Sequence, residues 1–152
     1  MSQDGIGVDL ETSLGYLLKE ASSALRAAME AVLRPLGMSV THYSCLELLA
    51  QRPGLSNSDL ARGAFVTRQS MNVLLQGLER DGYVSRPAQA AVGKVLPARL
   101  TPRGRRSLAK ATVAVRSVEE RMLGGMSDDQ KSGAFLILRS MINSLQNDIE
   151  GD

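Results

Sequence analysis

Apolar side chains recur at three- and four-residue steps from Thr12 onward: Leu14, Leu17, Leu18, Ala21, Leu25, Ala28, Met29 and Val32. That spacing predicts an amphipathic helix over residues 12–36. Thr12 or Ser13 caps its start, and Pro35-Leu36-Gly37 stops it. Residues 1–11 lack periodicity, contain Gly5 and Gly7, and read as a loose arm. A second helix is expected from about Thr41, a good cap, carrying Leu46, Leu48 and Leu49 and ending before Arg52-Pro53-Gly54. Ser56 caps a short third helix containing Leu60 and Ala61, and Gly63 is expected to form a tight turn after it. Thr67 opens a fourth helix in which Met71, Leu74, Leu75 and Leu78 form one buried stripe. Asp81-Gly82 ends it.

Residues 84–100 predict a short β-hairpin with Val84, Val95, Leu96 and Leu100, and Gly93 near its tip. Pro87 and Pro97 make it an edge ribbon, because proline cannot donate to a sheet ladder. Thr101-Pro102 begins the next helix, with Leu108, Ala111, Val115, Val118 and Met122 along it, until Gly124-Gly125 breaks it. Ser127 to Gln130 has the spacing of a capping box. The last helix carries Phe135, Leu138, Ile142, Leu145 and Ile149 at alternating steps of three and four, a seam suited to a partner helix. The fold class is therefore mainly α with a small β-hairpin.

Charge adds a second pattern. The chain has 152 residues and a net charge of +2. Between Arg62 and Arg106 there are nine basic residues and only Glu79 and Asp81 against them, a net of +7. The rest carries nine basic and fourteen acidic residues, a net of −5. A basic middle between acidic ends points to a polyanionic partner; a merely solvated basic face is the alternative.

Composition closes several doors. The chain has no run of eighteen apolar residues, so no membrane span is expected. The N-terminus lacks the order of a signal peptide, so the expected location is the cytoplasm. One histidine and one cysteine, Cys45, predict neither an internal disulfide nor a common structural zinc site. No nucleophile–base pair, metal spacing or phosphate loop is found, so neither an enzyme nor a cofactor is expected.

Two short helices joined by a glycine-containing turn and followed by a basic hairpin describe a winged helix-turn-helix. In that arrangement the second helix enters the major groove. The buried stripe leaves Arg68, Gln69, Asn72 and Gln76 on the free side. Arginine pairs with guanine, and Gln or Asn with adenine, in that groove. Thr67 and Ser70 sit where a helix N-terminus meets phosphate.

At this point the chain resembles the MarR family of bacterial transcriptional regulators, from about Leu14 to Ile149. Leu60-Ala61, the stretch from Thr67 to Glu79, Asp81-Gly82-Tyr83-Val84-Ser85-Arg86 and Leu100-Thr101-Pro102-Arg103-Gly104 carry the resemblance. It implies six helices and a wing, dimerised through N- and C-terminal helices: 12–36 and 102–150 for the dimer, 40–101 for the DNA-binding lobe. The dimer contacts would come from Leu14, Leu17, Phe135, Leu138, Ile142, Leu145 and Ile149. Two-fold symmetry then implies a palindromic double-stranded operator.

The resemblance also implies a repressor released by a small aromatic or apolar anion, with Arg26, His42 and Tyr43 as candidate ligand contacts. Some relatives sense oxidants through cysteine, which makes Cys45 a redox candidate; a small buried hydrophobe is the other reading. The wing departs from the family. Val92 and Lys94 stand where Asp and Arg are usual, so Lys94 acts only as a point charge. Val73 replaces a frequent arginine, and Asn72 a common threonine. Arg86 matches a frequent arginine that either contacts phosphate or braces the wing. The altered wing keeps one competing function open, a protein-interaction module without DNA binding.

Overall fold

The computed structural model describes residues 7–86 and 98–150, with side chains described as far as Asn147. Helix α1 (Leu14–Leu33) starts at Ser13, whose Oγ accepts the Tyr16 N–H at 3.1 Å. A 3-10 stretch, Arg34–Leu36, carries Pro35 and turns the chain. Helix α2 (Val40–Gln51) begins one residue earlier than the sequence reading placed it. Ser39, not Thr41, is its cap. Ser39 has extended backbone, and its Oγ lies 3.0 Å from the His42 N–H that it satisfies. Either hydroxyl residue fits the sequence pattern, and only backbone geometry separates them.

Helix α3 (Asn57–Gly63) has a full capping box. The Ser56 Oγ accepts from the Asp59 N–H, and the Asp59 carboxylate accepts from the Ser56 N–H. The helix runs through Gly63, so the expected tight turn lies later. Phe65 carries it, with φ of 59°, the one non-glycine residue at positive φ among those described. Its N–H donates to Arg62 O, and the Val66 N–H donates to Ala61 O. Gly63 serves packing instead: a Cβ there would lie 2.9 Å from a Leu48 methyl. Helix α4 (Arg68–Arg80) starts at Thr67, as the sequence predicts. Met71, Leu75 and Leu78 are buried and Leu74 is half-buried.

The hairpin base is antiparallel: β1 (Val84–Ser85) pairs with β2 (Arg99–Leu100), Val84 opposite Leu100. The predicted hairpin residues Val95 and Leu96 and the tip at Val92, Gly93 and Lys94 lie outside the described residues. Helix α5 (Pro102–Leu123) is tied to the end of the helix-turn-helix by Thr101. Its Oγ1 donates to Gly82 O at 2.6 Å and accepts from the Gly104 N–H at 3.0 Å. Its own N–H donates to Tyr83 O at 3.1 Å. Helix α6 (Asp128–Glu150) opens on the predicted capping box: the Gln130 N–H donates to Ser127 Oγ and the Ser127 N–H to Gln130 Oε1.

Two compact units divide the chain, one ending at Val118 and one starting at Glu119. The core lies in the first. Leu33, Leu46, Leu60, Met71, Leu75 and Cys45 are its most deeply buried side chains, and Val84, Leu100, Leu108 and Ala111 join it. The first turns of α5 belong to this unit because Leu108 and Ala111 sit in that core. On α6, Phe135, Leu138, Ile142 and Leu145 are exposed; the Ile149 side chain lies outside the described residues. On α1, Leu14, Tyr16, Leu17 and Leu18 are exposed.

Gly104 is the tightest junction. A Cβ built there would lie 2.1 Å from Tyr83 O. Backbone cannot retreat as a flexible side chain can, so Gly104→Ala must move α5 or the hairpin base. The expected loss is about 3 kcal/mol of unfolding free energy. Urea unfolding followed by circular dichroism checks this; a loss under about 1 kcal/mol contradicts the tight junction.

Candidate nucleic-acid interface

The candidate site is one face of α4. Burial of Met71, Leu75 and Leu78 fixes the helix on the core, so positions between them point away. Arg68, Gln69, Ser70, Asn72, Val73 and Gln76 are all exposed. Arg68 has no acidic partner among the described residues. Gln69, Asn72, Val73 and Gln76 are spaced i, i+3, i+4, i+7 and share one stripe.

Thr67 and Ser70 are occupied in part. The Thr67 hydroxyl accepts the Ser70 N–H at 3.1 Å and donates to Ser70 Oγ at 2.9 Å. Capping is thus its first task, and the Ser70 hydroxyl proton is not used in it. Asn72 has a partner that sequence reasoning missed. Asn57 Nδ2, in the first turn of α3, donates to Asn72 Oδ1 at 2.7 Å. The two residues are fifteen apart, and no spacing rule links them.

The basic residues divide by partner. Arg62 pairs with Asp59, and Arg80 with Asp81. Arg103 stacks over the Tyr83 ring at 4.8 Å. Arg86 turns inward: its side chain is 24 % exposed and its Nε lies 3.6 Å from Glu79 Oε2. The contact joins the base of the hairpin to the last turn of α4, and it is an ion pair rather than a hydrogen bond. Arg68, Arg99, Arg105 and Arg106 have no acidic partner among the described residues. Lys94 lies outside the described residues.

The arrangement matches known proteins. The profile of the MarR family covers residues 36–94. The HTH-type transcriptional repressor Rv2887 of Mycobacterium tuberculosis is 42 % identical over 126 residues, 83 % of this chain and 91 % of that protein. The chain belongs to the MarR family. Two crystal structures of the M. tuberculosis MarR protein Rv2887 superpose on it. One is a complex with DNA (TM-score 0.70, 39 % identity, 86 % of this chain and 98 % of that one). The other is a complex with salicylic acid (TM-score 0.71, 41 % identity, 86 % and 96 %).

The candidate ligand contacts are dispersed over the structure. The three expected from the sequence do not form one set. Arg26 is exposed and its Nε donates to Glu30 Oε1 at 3.2 Å on its own helix. Tyr43 is half-buried against the core. His42 lines a groove with Leu74, Asp81 and Tyr83, between α2 and the end of α4. Its ring meets Tyr83 edge-on at 5.3 Å.

A larger cavity of about 920 Å³ opens between the end of α2, β2 and α5. Leu49, Leu100, Leu108 and Val113 give it apolar walls, and Arg99, Arg105 and Arg116 give it cations. The sequence hinted at it only through arginines at Arg105 and Arg116 beside apolar α5 positions. No group of acidic, histidine or cysteine side chains that could hold a metal exists among the described residues. No described helix is long and apolar enough to cross a membrane.

Cys45 is fully buried, and burial pushes its thiol up to about 12 even with Arg86 opposing. A thiol in that state is neither a thiolate at neutral pH nor open to an oxidant. The small-hydrophobe reading fits; the redox reading has no support in this geometry.

Burial lowers the His42 pKa below its ordinary 6.5, and the nearby Asp81 carboxylate offsets only part of this. A histidine depressed on folding binds its proton more readily in the unfolded chain, so acid costs stability. Stability should be full above pH 6.5 and fall as pH drops below it toward the lowered native value. This is the only histidine in the chain, which isolates the effect. Urea midpoints measured from pH 7.5 to 5.5 should fall in the wild type and stay nearly flat in His42→Gln; equal slopes contradict the assignment.

Proposed function

We propose that this MarR protein is a sequence-specific repressor of transcription that binds double-stranded DNA as a homodimer and is released by a small organic anion. One observation carries the reading: α4 presents Arg68, Gln69, Asn72 and Gln76 to solvent from a helix locked by its buried face and both ends. A relative of 39 % identity with the same fold has been crystallised with DNA. Residues 40–101 would form the DNA-binding lobe. Residues 12–36 and 102–150 would form the dimer helices, where the exposed Leu14 and Leu17 and the exposed α6 seam need a partner. A DNA target is in keeping with a cytoplasmic location for the working protein. Two copies of α4 related by two-fold symmetry favour a palindromic operator.

The effector is proposed to enter the cavity beside α5. Apolar walls remove an aromatic body from water, and Arg99, Arg105 and Arg116 supply counter-charges for a carboxylate. Salicylic acid, bound by the M. tuberculosis relative, is the natural first probe. An effector works only if it prefers one arrangement of the dimer over the other.

Duplexes enriched from a random-sequence pool test the DNA reading by fluorescence anisotropy. Wild-type affinity should fall steeply between 50 mM and 200 mM salt, as counterion release requires. Arg68→Ala with Asn72→Ala should cost at least about tenfold. Unchanged affinity for every fragment at low salt would favour the protein-interaction alternative. The effector reading has its own test. Arg116→Ala should raise the salicylate concentration needed for release by about tenfold, with DNA affinity unaltered in its absence. Release at the wild-type concentration would move the effector site elsewhere.

A further inference from the structure

The stripe of α4 that faces away from the core is polar except at one place. Val73 sits between Asn72 and Gln76 and is 65 % exposed. A branched apolar side chain held in water at the centre of a reading face is covered only when something apolar arrives. In the major groove the apolar feature is the C5 methyl of thymine.

Its neighbour points to the same base. Asn57 Nδ2 donates to Asn72 Oδ1, so the carbonyl of Asn72 is directed at α3. The amide N–H of Asn72 is then the part left for the groove. The backbone of Asn57 is fixed, since it is the first residue of α3, directly after the Ser56 cap. A donor reads base acceptors, and thymine O4 is an acceptor adjacent to the C5 methyl.

We infer that Asn72 and Val73 together read a thymine, donor to O4 and apolar side chain to methyl, and that Asn57 is a positioning residue that sets which edge of Asn72 faces the DNA. This rests on the DNA-binding reading above. It replaces the sequence expectation that Asn72 pairs with adenine, which would use both its carbonyl and its amide.

The full-length chain is tested on the best duplex enriched from a random pool. Each thymine is replaced in turn by deoxyuridine, which removes the methyl and nothing else. One replacement per half-site should weaken the wild type about fourfold, and the same replacement should leave Val73→Ala binding nearly unchanged. Enrichment is then repeated with Asn57→Asp, a substitution that suits the first turn of a helix. A carboxylate only accepts, so Asn72 must turn its N–H to residue 57 and its carbonyl to the groove. The preferred base at that position should shift from thymine to adenine or cytosine, which offer donors there. Asn57→Ala should flatten the preference.

Deoxyuridine tolerated at every position by the wild type overturns the inference, as does an Asn57→Asp protein that selects the same thymine. Should Asn57→Asp not fold by circular dichroism, the deoxyuridine series on the wild type decides alone. A pool in which no duplex is enriched overturns the DNA reading and this inference together, whereas enrichment without a methyl effect overturns only the inference.

Discussion

Burial of Met71, Leu75 and Leu78 in one core with Leu46, Leu60, Val84 and Leu100 sets the orientation of α4, and with it the face that α4 turns to solvent. A helix pinned by three large side chains on one stripe has no freedom to roll, since each would leave the core at a cost of roughly 2–5 kcal/mol when truncated. The opposite stripe is thereby committed to solvent or to a ligand. Capping completes the constraint. Thr67 ends the helix cleanly at one side, and Asp81-Gly82 at the other. α3 is held from both ends as well, by the Ser56–Asp59 box and by the close fit of Gly63 on Leu48. That rigidity is what a polar amide such as Asn72 needs in order to present a defined edge.

The charge of the central region is less uniform than its sum. Arg62, Arg80 and Arg86 have carboxylate partners, and Arg103 covers the Tyr83 ring. Exposed pairs of this kind are worth little to stability and open readily to a phosphate. Arg86 differs because its guanidinium turns inward beside Glu79 and near the Cys45 thiol. Among the described residues, the remaining arginines of this region without an acidic partner are Arg68 on the exposed face of α4, Arg99 and Arg105 at the α5 cavity, where Arg116 joins them, and Arg106 in a smaller groove beside Tyr83. A single basic segment in the sequence is thus divided in space among separate surfaces.

What the sequence made legible follows from short-range physics. The stripe of α4, the Thr67, Ser56 and Ser127 caps and the start of α5 all depend on residues within a turn of each other. Ser39 escaped because Thr41 is an equally good capping residue, and only the backbone at Ser39 decides. Phe65 escaped because an aromatic residue at positive φ is disfavoured and leaves no sign in composition. Its exposed side chain (94 %) contributes nothing that would mark it as a turn. The Asn57–Asn72 contact, the inward course of Arg86 and the α5 cavity join positions far apart in the chain. They exist only once the helices have packed. Family resemblance implies a ligand pocket without placing its residues, and Arg26, His42 and Tyr43, expected where the first two helices meet the lobe, fall in three different surroundings.

The junction at Thr101 has a consequence for how this fold tolerates change. Its hydroxyl and N–H clamp Gly82 O and Tyr83 O, while Val84 and Leu100 close the ladder beside them. Both ends of the wing segment are therefore fastened to the scaffold independently of anything the segment itself does. Loop closure free energy varies only slowly with length once the ends are fixed. Insertions or deletions between Ser85 and Arg99 should leave the register of α4 and α5 intact, so the wing can diverge in length and composition while the scaffold stays constant.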